Sequence, residues 1–169
     1  MRAEPLDSSR LLLEPLRVDH AEEMADVLAA PELYAFTGGG PPDVDRLRRT
    51  YARQVAGRSD DGGQWWLNWV IRRHDTGRAA GYVQATVQSA RPVAEIAWVV
   101  GVDHQGRGFA QEAAGLVVAW LRAAGIDRVT AHVHPDHAAS AAIARRIGLV
   151  ASDTVEDGEV LWESLPPTP

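Results

Sequence analysis

Residues 93–134, VAEIAWVVGVDHQGRGFAQEAAGLVVAWLRAAGIDRVTAHVH, constrain the fold more than any other stretch. The opening VAEIAWVV is β-branched and nearly all apolar, with Glu95 as its exception. A strand without polar alternation is buried on both faces, which predicts the centre of a sheet. A short loop with Gly106 and Gly108 follows. Apolar residues then recur at helical spacing: Ala110, Ala113, Val117, Trp120, Leu121 and Ala124. DRVTAHVH (127–134) is a second strand, ended by Pro135. Strand, helix and strand in that order make a βαβ unit.

The rest of the chain adds to this unit without repeats or low-complexity segments. RLLLEPL (10–16) reads as a strand, and Asp19 with Glu22 three residues on resembles a capping box opening a helix over about 19–30. Met24, Val27 and Leu28 form its apolar stripe. TGGGPPD (37–43) is a loop, and Asp43 caps a second helix, about 43–56, with Val44, Leu47, Tyr51 and Val55 on one side and Gly57 as its stop. Strands follow at 64–73, 79–89 and 93–100, with Asp75-Thr76-Gly77 turning between the first two. A short helix at 139–148 closes on Gly148, and residues 149–155 and 160–165 form a last hairpin. The order β-α-α-β-β-β-α-β-α-β-β predicts an α/β fold: one mixed sheet with helices on its faces. The 169 residues are expected to form a single domain, 1–169, with a frayed tail at 166–169.

Composition excludes several functions. The chain has no cysteine, so disulfides and thiolate metal sites are ruled out, in keeping with a cytoplasmic protein. MRAEPLDSSR lacks the apolar core of a signal peptide, and no apolar run is long enough to span a bilayer, so no membrane association is expected. The net charge is −6 and no long basic run exists, which argues against nucleic acid as a partner. Arg46, Arg48, Arg49 and Arg53 fall on one predicted helix among acids and read as a solvated face. The acidic balance weakly favours a cationic substrate.

HVHPDH (132–137) gathers three of the six histidines. Its spacing is how the metallo-β-lactamase superfamily writes zinc ligands. However, that site needs further ligands downstream, including histidine, and no histidine follows His137. A zinc hydrolase through His132, His134 and His137 stays a remote alternative. The expectation is no metal, with a strand end whose polar residues face a cleft.

QGRGFA (105–110) carries the chemistry. Gly106 and Gly108 permit close approach to the backbone. Free N–H groups at a helix N-terminus, reinforced by the helix dipole, suit a pyrophosphate. The run Gln105-Gly106-Arg107-Gly108-Phe109-Ala110 resembles the acetyl-CoA signature Q/R-x-x-G-x-G/A of the GNAT superfamily of N-acetyltransferases. RLLLEPLRVDHAEEM, AEIAWVVGVDHQGRGFAQEA and VHPDHAASAAIARRIGLV are similar to the opening, the central strand with cofactor loop and the following strand and helix of its ribosomal-protein-alanine (N-terminal) acetyltransferase branch. The resemblance covers nearly the whole chain.

The resemblance implies a GNAT-like fold with splayed central parallel strands and acetyl-CoA as co-substrate. The backbone of Val99 and Val100 would pair with the pantetheine arm, and the N–H groups of Gln105, Gly106, Arg107, Gly108, Phe109 and Ala110 would hold the pyrophosphate. Arg107 either reaches phosphate or is a solvated loop charge. Trp98 lines the cleft or, more in keeping with its type, fills the core. His137 stands where the family often has asparagine, contacting the cofactor or carrying a proton. Ser140 stands where this branch has serine, near the cofactor sulfur or simply bonding backbone at a helix start. The tyrosine that often protonates the leaving thiolate aligns with Ala144 and is missing.

An amine attacks a thioester only when neutral. Deprotonation at pH 7 costs about 1.4 kcal/mol for an α-amine and about 4.6 kcal/mol for a lysine-like amine. Glu95 is the candidate base, because a carboxylate isolated on an apolar strand is desolvated; the alternative is a carboxylate satisfied by a structural partner. His134 is the reserve acid–base group. A backbone N–H near Val100 would meet the charge developing on the carbonyl oxygen. Without cysteine, direct transfer in a ternary complex is expected, to a protein N-terminus or a small-molecule amine, by a monomer or homodimer. The two early helices, the loop at 37–42 and the last hairpin are expected to frame the acceptor pocket. The alternative in another class is a non-catalytic acyl-CoA-binding module.

Overall fold

The computed structural model describes residues 1–165; the tail at 166–169 lies outside the described residues. Eight strands form one sheet: β1 (Leu6–Asp7), β2 (Leu11–Pro15), β3 (Gln64–Arg73), β4 (Ala79–Gln88), β5 (Val93–Val100), β6 (Arg128–Val133), β7 (Leu149–Glu156) and β8 (Glu159–Ser164). Four helices accompany it: α1 (Ala21–Val27), α2 (Val44–Gln54), α3 (Phe109–Ala123) and α4 (Ala138–Arg146). The sheet order is β1-β2-β3-β4-β5-β6-β8-β7, and β5 with β6 is its parallel pair. The fold is the mixed α/β sheet expected. Among the described residues no helix is long and apolar enough to cross a membrane.

Register divides the sheet into two faces. Leu67, Ala85, Ile96 and Ala94 with Val129 and Ala131 lie on one face, where α3 covers them with Ala113, Ala114, Val117, Val118 and Leu121. Fully burying a side chain such as Val117 or Leu121 contributes about 1.5–3 kcal/mol. Trp98 is partly buried against this core, as is Trp65, whose strand neighbour Trp69 is fully buried and donates its indole N–H to Glu4 O at 2.7 Å. The other face carries Trp66, Asn68 and Val70, then Thr86, Gln84 and Tyr82, then Glu95, Ala97 and Val99, then Thr130 and His132. A second cluster, built on Met24, Leu28, Leu47 and Tyr51, brings α1 and α2 onto Val70, Ala79, Tyr82 and Val99. The remainder of that face stays open, so β5 is covered on one face and not on both as expected.

Local signals explain most boundaries. Asp43 caps α2 by accepting the Arg46 N–H at 2.7 Å. Asp157 and Gly158 take positive φ in the β7–β8 turn, the conformation of a two-residue hairpin. Asp19 does not cap α1. Residues 18–20 form a 3-10 turn before it, the Arg17 N–H donates to His20 Nδ1 at 3.2 Å, and the Asp19 carboxylate accepts from Arg17 Nε instead. The imidazole reaches the orphan N–H and the carboxylate is drawn to a guanidinium. α1 is therefore shorter than 19–30, and a second 3-10 turn, Pro31–Tyr34, follows it.

Candidate active site

The parallel pair is brief. β5 and β6 are in register only at Val93–Arg128, Ala94–Val129 and Glu95–Thr130. Beyond that β6 continues against β8 and β5 against β4, so the two central strands splay. Gly101 N–H donates to Ala80 O on β4 at 2.9 Å. Peptide groups alternate sides along a strand, so Val100 and Trp98 aim their backbone polar groups into the gap. The Gln105 side-chain amide reaches Val100 O at 3.0 Å, leaving the Val100 N–H for the gap. Val99 differs from the expectation. Its carbonyl turns to β4, only 2.1 Å from where a Cβ on Gly81 would stand, and its side chain faces the open side of the sheet.

The loop after β5 ends in an anion cradle. Gly106 and Gly108 have φ of 72° and 78°, a region that L side chains rarely enter. Gln105 N–H is used by Val102 O and Glu112 N–H by Gly108 O. Between them, the N–H groups from Gly106 to Gln111 meet no acceptor among the described residues. They open α3, whose dipole adds positive potential. Phe109 gives this run its N–H but buries its ring in the core beneath the guanidinium groups of Arg10 and Arg73. Ala110 packs against the same core. Arg10 fastens the loop: Nη1 donates to Arg107 O at 3.0 Å, and its guanidinium pairs with the Glu112 carboxylate. Nothing in the sequence marked Arg10, which lies about a hundred positions from its partners. The Arg107 side chain is exposed and has no ion pair among the described residues.

Glu95 sits at the last paired position before the splay, on the open face. Its side chain is 53% exposed and its Oε1 lies 3.2 Å from His132 Nδ1. The desolvated surroundings expected for it are absent, because the face of β5 that carries it is uncovered. His132 Nε2 faces Glu156 Oε2 of the last hairpin at 3.4 Å without hydrogen-bond geometry. A three-membered array, Glu95–His132–Glu156, thus lies across β5, β6 and β7. The sequence places His132 at a strand end facing a cleft but does not pair it with Glu95; the hint to that pairing is its even spacing from Thr130, which pairs with Glu95.

His134 and His137 point elsewhere. Phe36 stacks on the His137 ring at 4.5 Å and lies 5.2 Å from His134, bridging the early helices to the end of β6. His134 Nδ1 accepts the Asp136 N–H at 3.2 Å and His137 Nδ1 accepts the Ser140 N–H at 3.5 Å. An Nδ1 that accepts a hydrogen bond leaves the ring hydrogen on Nε2. Burial, then the neighbouring His134, holds His137 below the usual imidazole pKa. Ser140 is half-buried in the first turn of α4, and its hydroxyl has no hydrogen bond among the described residues. Ala144 is fully buried. Among the described residues no group of three or more His, Asp or Glu is arranged to hold a metal ion.

A cavity of about 290 Å³ opens on the same face as Glu95. Leu28, Thr37, Gly40 and the inner side of α2 line it, with Tyr82, Gln84 and Val99 as its floor. The early helices and their loop frame this cavity; the last hairpin, expected to help frame an acceptor pocket, does not line it.

Splayed parallel strands, free N–H groups at a helix start and an adjoining cavity define an acyl-transfer architecture. Residues 10–150 match the family model of the acetyltransferase (GNAT) domain, and the chain belongs to that family. It is accordingly an acyl-CoA-dependent N-acetyltransferase by class. Solved structures share the fold. A GNAT-family acetyltransferase from Bacillus anthracis superimposes with a TM-score of 0.81 at 15% identity, covering 96% of this chain and 98% of that one. RimL, a ribosomal-protein alpha-N-acetyltransferase solved with coenzyme A, gives 0.79 at 15% identity, covering 96% and 98%. MccE, a microcin self-immunity acetyltransferase solved with acetyl-CoA and AMP, gives 0.77 at 15% identity, covering 94% of each. No curated protein matches the chain.

Proposed function

We propose that this protein transfers the acetyl group of acetyl-CoA directly to a primary amine, with both substrates bound together. The unpartnered N–H run from Gly106 to Gln111 beside the splayed strands carries the reading. Amide donors at a helix start fit a pyrophosphate, with Arg107 free to reach phosphate, and the gap beside Trp98 and Val100 fits an extended pantetheine arm. RimL and MccE, solved with coenzyme A and acetyl-CoA, support the choice of co-substrate.

Acetyl-CoA supplies the thioester; the chain's residues supply position and proton handling. The Val100 N–H is the donor to the carbonyl oxygen as it gains charge. Glu95, backed by His132, takes the proton that the attacking amine must lose, directly or through one water. Exposure suits Glu95 to an α-amine, whose deprotonation costs only about 1.4 kcal/mol at pH 7. His134 and His137, with Nδ1 engaged, offer Nε2–H donors and not basic lone pairs. His137 and the Ser140 hydroxyl are then the donors that stabilise the leaving thiolate in place of a phenol. A protein N-terminus, the acceptor class of RimL, fits this economy of base strength.

One observation favours a second reading. Ala144 is fully buried where the family often has a tyrosine, as in a non-catalytic acyl-CoA-binding module. Thiol release from acetyl-CoA, followed with a panel of peptides and small amines, separates the two. Amine-dependent release is the expected outcome. Tight acetyl-CoA binding without release for any amine would establish the silent module.

A further inference from the structure

The lining of the cavity beside Glu95 says what kind of amine it accepts. This step rests on the acetyl-transfer reading. Among the described residues no carboxylate lines the cavity. Its one charged lining residue is Arg46, whose guanidinium has no ion pair among the described residues, whereas its neighbour Arg48 is held by Glu22 and Asp45. Leu28, Leu33 and Leu47 make much of the wall apolar. Tyr51 is 5% exposed and its hydroxyl has no hydrogen bond among the described residues, and the same holds for the Tyr82 hydroxyl; Tyr34 instead donates to Leu28 O at 3.0 Å. Burial pushes the Tyr82 phenol up to about 12 and the Tyr51 phenol higher still. Both therefore remain O–H donors at neutral pH and bring no negative charge.

A second ammonium in such a space would meet a guanidinium, apolar carbon and neutral acceptors such as Asn68 and Gln84, with no carboxylate to neutralise its charge. An anion would meet the guanidinium and phenolic donors. The acids of the array, Glu95 and Glu156, do not line the cavity and instead flank His132. We infer that the acceptor is an amine on an apolar or aromatic frame that also carries an anionic group, and that polycationic amines are rejected. This reverses the weak preference for a cationic substrate drawn from net charge, because the acid excess of the chain does not line the pocket.

The test compares three acceptors with the full chain at saturating acetyl-CoA, reading kcat/KM by thiol release: leucyl-phenylalanine with its free carboxylate, the same dipeptide amidated, and spermidine. The free dipeptide should exceed its amide by about tenfold or more, the worth of one charge-assisted hydrogen bond. Spermidine should stay at background. Arg46→Gln should bring the free dipeptide down to the amide's value through KM. An amide equal to the free acid, or a preference for spermidine, overturns the inference and leaves acetyl transfer standing. Silence from all three with acetyl-CoA binding intact overturns the inference, and the wider amine panel then decides acetyl transfer itself.

Discussion

His20 shows what burial does to one ring. Its side chain is 4% exposed, Nδ1 accepts the Arg17 N–H, and Nε2 lies 3.4 Å from Glu14 Oε2 without hydrogen-bond geometry. Desolvation outweighs the attraction of Glu14 and holds its pKa below the ordinary value of roughly 6.5. Above that pH the ring is neutral folded and unfolded, and its contribution to stability is whole. As pH falls, the unfolded chain binds the proton first, and stability is lost down to the folded pKa. His104 and His137 are shifted the same way, also mainly by desolvation. Tm should therefore fall between about pH 7 and pH 5, and His20→Asn should flatten part of that fall; identical slopes in both proteins would refute the assignment. At Glu95, replacement by Gln should lower kcat by about a hundredfold or more, within the range for a general base. The acetyl-CoA-induced rise in Tm should persist. A Glu95→Gln enzyme with wild-type kcat would remove Glu95 from the chemistry.

Two elements depend on contacts between distant segments. A Cβ on Gly81 would stand 2.1 Å from Val99 O and 2.8 Å from Val100 Cα, close to a register shift in the β3–β4 pairing. Gly81→Ala must push β5 away from β4, at a cost of about 1–3 kcal/mol by the measure of overpacking. Differential scanning calorimetry should record a Tm several degrees lower, with weaker acetyl-CoA binding because the moved strand borders the gap; an unchanged Tm would contradict the close approach. The cofactor loop depends in turn on Arg10. Arg10→Lys keeps the charge but cannot form the planar fork that joins Glu112 to Arg107 O. KM for acetyl-CoA should rise several-fold with little change in kcat, and a wild-type KM would mean that the loop holds itself. Long strands such as β3, β4 and β5 were legible because pattern and turn residues agree over eight to ten positions. The two-residue β1 was not, since its order comes from pairing with β2.

For the whole molecule, the expectation is stabilisation by a native-state ligand. Acetyl-CoA at one hundred times its Kd adds about 2.7 kcal/mol, roughly 5–10 °C in Tm for a chain of this length. No shift at millimolar acetyl-CoA would count against the anion cradle. The sequence by itself determined the element order from β2 onward, the mixed sheet and the glycine loop with its helix, since each rests on short-range chemistry: apolar period, positive-φ glycines and free N–H groups at a helix start. It also pointed to the loop from Gln105 to Ala110, although the Gln105 N–H itself is taken by Val102 O. Only tertiary structure decided that β5 is open on one face, that Glu95 is solvated beside His132, and that Val99 turns its carbonyl to β4. The pocket's charge belongs there too. Net charge sums every acid in the chain, whereas a ligand meets only those whose strand register and helix packing bring them to the wall, and at this wall the only charge among the described residues is Arg46.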